Sequence, residues 1–263
     1  MVSGNKSKAV RNARAAVVTQ KSTSWGLIAA VLVVLLFAGG VIGYYLVQAN
    51  AQQGRIDALA PFTPTPDNPD PSTAIPGVEV VTYQGGQHIT PSQTVAYTHN
   101  PPFGGTHDGF WAACNGVVYP DPVRSENLVH SLEHGTVWIA YNPDQISGDA
   151  LDALTAKVQS RPYTVMSPYP GLDQPISLQA WGHQLKLADA GDGRVDQFIA
   201  ALRRNPNTHP EVGASCQALG PGQFDQDNPP AFAPAPPVSA IDGTTVFPEI
   251  VEGATDVAPD AGP

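Results

Sequence analysis

Residues 130 to 141 read HSLEHGTVWIAY, two histidines four apart enclosing a glutamate, with a glycine before an apolar run. On a helix, residues four apart share a face, so the imidazoles of His130 and His134 can reach one ion. Glu133 lies one step round that helix, as a ligand, a support or a base. Two ligands are too few, since a structural zinc takes four and a catalytic zinc three plus water. His107, in GGTHDGFW, is the best third ligand, because glycines let a loop bring an imidazole and Asp108 close to a helix end. His99 and His88 are lesser candidates. The proposed metal set is His107, His130, His134 and Glu133, and neutral imidazole suits copper and zinc alike.

Two other readings stand beside this one. In the first, HSLEHG is a helix end: Gly135 takes the left-handed cap, His134 meets the helix dipole, His130 is a core histidine bonded to backbone, and Glu133 is solvated. In the second, His-x-x-Glu-His is a zinc hydrolase pattern, with His130 and His134 as ligands, Glu133 as the base and Glu211 as the distant third ligand. Against it, Gly135 and a β-branched run stop the helix early. No phosphate-binding glycine loop, nucleophile elbow or activated Cys-His pair is present, so an enzyme is the subordinate expectation.

The elements that must carry these residues follow from pattern. Val78–Tyr83 reads as a strand, Gln84-Gly85-Gly86-Gln87 as a turn before His88-Ile89, and residues 98–122 as a long loop held by Phe103, Phe110 and Trp111. Ser125 is the expected N-cap of a short helix through His134, and Thr136–Tyr141 a buried strand. Helices are expected over 147–160 and 195–204, and strands over 163–166 and 176–187, the last broken at Gly182. This order predicts an α+β fold, a small mixed sheet packed with about three helices, and allows a thioredoxin-like order. The chain has no Cys-x-x-Cys, so thioredoxin chemistry does not follow.

Around this domain, expected over 78–219, the charges are unevenly placed. Lys6, Lys8, Arg11, Arg14 and Lys21 precede Trp25, no acidic residue occurs before Asp57, and residues 25–47 carry no charge. Such a run is long enough to cross a bilayer core of about 30 Å. A transmembrane helix over 25–47 is expected, with a cleaved signal peptide as the rival; the basic tail, 1–24, then stays in the cytoplasm and the rest is extracytoplasmic. Residues 48–77 read as a Pro-rich stalk, and 220–263 as a disordered acidic tail. After Trp25 only eight of the 13 Lys and Arg face all 23 Asp and Glu, a formal balance of −15, which disfavours nucleic acid. Cys114 and Cys216, both outside the membrane on this reading, are expected to form a disulfide.

The strings THNPPFGGTHDGFW, GVVYPDPVRSENLVHSLEHGTVWIAYNPD and ISLQAWGHQLKLAD resemble the family catalogued as domain of unknown function 3105, over about Val78 to Glu211. That resemblance implies actinobacterial, membrane-anchored proteins of the plasma membrane and cell envelope, with one N-terminal membrane helix and an extracytoplasmic domain. It brings no established activity. Beside a metal-binding envelope protein, the residues therefore also allow a scaffold or assembly partner in the envelope, using the aromatics near Phe110 and Trp111 to contact another protein.

Overall fold

The computed structural model describes residues 24–251, and the basic segment before Ser24 lies outside them. Two compact units divide the chain near Asp57. The first is α1, Trp25–Leu59, a single helix of 35 residues with none buried, long and apolar enough to cross a membrane. It runs past Val47 into the expected stalk because no proline occurs before Pro61.

The second unit contains β1 (Glu79–Val80), β2 (His88–Ile89), β3 (Thr94–Ala96), β4 (His107–Asp108), β5 (Asn115–Val118), α2 (Ser125–Glu133) and β6 (Val137–Tyr141). After these come α3 (Gly148–Val158), β7 (Thr164–Pro168), β8 (Ile176–Ala180), β9 (His183–Leu187), α4 (Arg194–Leu202) and β10 (Val246–Pro248). Six strands form one mixed sheet in the order β1-β9-β8-β6-β7-β5. The expected α+β fold is therefore present.

Parallel strands need crossovers, and here helices supply them: α2 joins β5 to β6, and α3 joins β6 to β7. The two helices cover opposite faces. Trp138 and Ala140 of β6 pack with Leu128, Val129 and Leu132 of α2, while Val137, Ile139 and Tyr141 pack with Leu154 and Val158 of α3 and with Val195, Phe198 and Ile199 of α4. Both faces of the central strands are thus buried, which is why TVWIAY is a continuous apolar run rather than an alternating one.

Several boundaries differ from the sequence reading. Ser125, read as an N-cap, is the first helical residue, and Arg124 takes the cap position. Of Val78–Tyr83 only Glu79–Val80 forms a strand, paired with β9, while Tyr83 makes an isolated bridge to Val251, and the long loop contains β4 and β5. The stalk is not free beyond α1: Ile75 is buried, Phe62 packs on the core beneath α4, and Asn205 Nδ2 donates to Pro69 O. Proline forbids a helix or a sheet interior there but not docking.

The tail also departs from its expected disorder as far as it is described. Phe224 is fully buried, Arg124 N donates to Pro230 O, Phe232 packs on Tyr169, and β10 runs parallel to β3 with Phe247 opposite Val95. Widely spaced phenylalanines anchor a segment whose average composition is that of a linker. Residues 252–263 lie outside the described chain.

Cys114 and Cys216 form a disulfide across a separation of 102 residues, and Cys114 N donates to Cys216 O beside it. Loop-closure entropy for such a span is worth about 4 to 5 kcal/mol at most. Replacing both cysteines by alanine should lower the urea midpoint followed by tryptophan fluorescence; a loss under about 1 kcal/mol would show that native strain cancels the entropy.

Candidate metal centre

All nine residues of α2 are buried, yet six of them are polar or charged, and only Leu128, Val129 and Leu132 are apolar. Such a helix folds only if each polar group finds a partner. The partners are backbone groups of the preceding loop. Glu126 accepts from Val95 N, Asn127 donates to Phe110 O, Ser131 donates to Ala112 O, and His130 Nδ1 lies 2.6 Å from Asp108 O.

That arrangement delivers β4 to the helix, and β4 brings β2 with it. His88 stands opposite His107 in a parallel pair, so both rings project from one face, with centroids 4.8 Å apart. His130 stacks on His88 at 5.0 Å and meets His107 at 4.8 Å. Glu133, one turn on from His130, completes the group. A nitrogen or oxygen from each of His88, His107, His130 and Glu133 lies within 4.8 Å of the others. Zinc and copper bonds to such ligands are about 2.0 to 2.2 Å long, so one ion needs adjustments of about an ångström.

The electrostatics are compatible with a ligand set. His107 Nδ1 sits 2.7 Å from Gly105 O and His130 Nδ1 is bonded to Asp108 O, so a neutral ring at either position carries its proton on Nδ1 and leaves Nε2 as a lone pair. Burial, together with the neighbouring His107, His134 and His88, pushes the His130 imidazole down to about 3. Burial alone would raise the Glu133 carboxyl, but contact with His107 and the Gly86 N–H, with His130 beyond, holds it below its usual value. At neutral pH the group therefore offers an uncharged His130 imidazole beside a carboxylate.

One contact is an ion pair only if His107 is protonated. His107 Nε2 and Glu133 Oε2 are 2.8 Å apart, both side chains fully buried, and neither atom makes a hydrogen bond. Glu133 Oε1, by contrast, accepts from Gly86 N at 2.6 Å. The QGGQ turn is what permits this: a Cβ on Gly85 would lie 2.8 Å from Glu133 Oε1, and Gly86 has a positive φ of 71°.

The sequence set of His107, His130, His134 and Glu133 is divided by the structure. His134 stands apart from His107 and Glu133 and groups instead with Glu211, at 3.0 Å, and with His130. His88, the lesser candidate, takes its place in the four-ligand group. His99 lies elsewhere, beside Tyr83, Glu79 and Glu249. Phe110 and Trp111 are half-buried rather than exposed: Trp111 donates to Gln217 O and tilts over His134 at 4.9 Å. The helix-end reading holds for Gly135, with φ of 87°, but fails for Glu133, which is not solvated.

The hydrolase reading gains Glu211 near His134 but loses its base. Glu133 is fastened by Gly86 on one oxygen and turned to His107 with the other. Behind the centre, Arg124 binds Asp108 Oδ2 at 2.5 Å and Gln93 O at 2.6 Å, and approaches Glu126 at 3.4 Å.

The sequence profile of the family described as protein of unknown function (DUF3105) matches residues 88–218, a span that includes every residue of both groups, and the chain belongs to that family. No curated protein and no solved structure matches it.

Removing the Arg124 cation should be costly, because Asp108 and Glu126 would remain buried without it. Arg124→Met is expected to destabilise the domain by about 3 to 5 kcal/mol in urea unfolding. A loss below about 1 kcal/mol would mean that solvent already screens the pair.

Proposed function

We propose that this DUF3105 chain is a membrane-anchored metal-binding protein of the cell envelope, holding one divalent copper or zinc ion through His88, His107, His130 and Glu133. The observation that carries this reading is the contact between His107 Nε2 and Glu133 Oε2. A buried imidazole nitrogen and a buried carboxylate oxygen at 2.8 Å need a proton or a metal ion between them, and the gathering of His88 and His130 at the same point supports the metal ion.

The donor chemistry narrows the ion. Three imidazoles and one carboxylate suit borderline divalent ions. Both cysteines are in the disulfide, and the one methionine among the described residues, Met166, is in the core on the far face of the sheet, so no sulfur favours copper(I). Four protein ligands fill a tetrahedral ion, which supports a binding or structural role over hydrolysis. His88, 41 % exposed at its side chain, gives the ion access from solvent.

The charge pattern and the disulfide support this placement. The apolar residues 25–47 anchor it, the basic flank stays on the cytoplasmic side, and the metal domain lies outside, where its disulfide is favoured.

The test is elemental analysis of the full chain, purified in detergent without a histidine tag from cells given both copper and zinc. Near one ion per chain is expected, with His107→Ala and Glu133→Gln losing it. Equal metal in all three proteins, or none in any, would refute the reading. A finer check is Gly85→Ala, whose new methyl displaces Glu133; affinity should fall about 10- to 100-fold with the disulfide intact, and unchanged affinity would remove Glu133 from the ligand set.

A further inference from the structure

The segment after α4 does more than close the domain. The last carbonyls of a helix have no partner within it, and the Glu133 carbonyl is taken up by two groups from this segment, Glu211 N at 3.1 Å and His209 Nδ1 at 3.0 Å. Arg204 N donates to the carbonyl of Gly135. This docking sets Glu211 beside the C-terminal end of α2, where its Oε2 lies 3.0 Å from His134 Nε2.

His134 is oriented as the other ligand histidines are. Its Nδ1 lies 2.6 Å from Ser215 O, next to the disulfide residue Cys216, so Nε2 is the nitrogen left for Glu211. His130 is its neighbour one turn back, with ring centroids 4.8 Å apart. Ligand atoms of His130, His134 and Glu211 again fall within 4.8 Å of one another.

From this geometry we infer a second, open metal position formed by His134, Glu211 and His130, overlapping the first through His130. It extends the metal reading and rests on it only through that shared imidazole. His130 has one free nitrogen, because Nδ1 is bonded to Asp108 O, so it serves one ion at a time. The first position has four protein ligands. The second has three, one of them the 41 % exposed Glu211 carboxylate, and leaves a coordination place for water or an external ligand. Two ions on one chain therefore compete, and the second binds more weakly.

The experiment is a cobalt(II) titration of the full chain in detergent, read by visible absorption and by bound metal after gel filtration. The wild type is expected to fill in two phases, the second weaker by about tenfold or more. Glu211→Gln, an isosteric change at a half-exposed carboxylate, should abolish the weak phase and leave the tight one unchanged. His107→Ala should abolish the tight phase and leave only the weak one, which fills at high cobalt and empties on purification.

A weak phase that survives both Glu211→Gln and His134→Ala overturns the second position, as does a single phase in the wild type that only His107→Ala removes; the His134–Glu211 contact is then held by a proton alone. Binding lost in Glu211→Gln but untouched in His107→Ala would instead overturn the four-ligand position and keep this one. No cobalt bound by the wild type overturns both.

Discussion

The structure depends on a buried helix that is not apolar. Residues 125–133 are enclosed on every side, yet only Leu128, Val129 and Leu132 give it an apolar stripe, and that stripe is spent on β6 of the sheet. The remaining polar groups can be buried only if they are hydrogen-bonded, since each orphan would cost about 1 to 3 kcal/mol. The loop before the helix wraps it and supplies backbone partners from Val95 to Ala112. The fold of the loop is therefore dictated by the helix, and the positions of His107 and Asp108 follow from it.

The same logic operates at the two ends of the helix. Arg124 gathers Asp108, Glu126 and the carbonyl of Gln93 into one buried charge network, and its own N–H is satisfied by Pro230 from the C-terminal segment. At the other end the segment 204–216 caps the helix carbonyls and is tied to the loop by the disulfide. Both His/Glu groups that could hold a metal ion lie between these clamps. Their rings are held by backbone carbonyls rather than by flexible side chains, a rigid support for a ligand set.

Rigidity alone does not explain the chemistry at the centre. A hydrogen-bonded network would have been completed at His107 and Glu133 as it was at Asn127 and Ser131, because the fold has supplied a partner everywhere else on this helix. Instead the two side chains meet at 2.8 Å in a contact that needs a proton or a metal ion between them. Such a contact, enclosed within an otherwise satisfied network, is compatible with a metal ion held there.

The sequence by itself determined what depends on local periodicity and on composition. The apolar helix, the order of the α+β domain, the helix carrying His130 and His134, its stop at Gly135 and the pairing of two isolated cysteines are all legible, because each is decided by neighbours within a few residues or by elimination. Only the tertiary structure decided the partners of those histidines. His88 joins through a two-residue parallel ribbon too short to leave a pattern, with the QGGQ turn allowing backbone to reach Glu133. Glu211 joins because its segment satisfies helix carbonyls 76 residues distant in the sequence. The proline-rich ends reveal the same limit: composition disfavours α-helices and sheet interiors in 60–77 and 220–251, but whether Ile75 and Phe224 are buried depends on surfaces that exist only once the rest of the domain is packed.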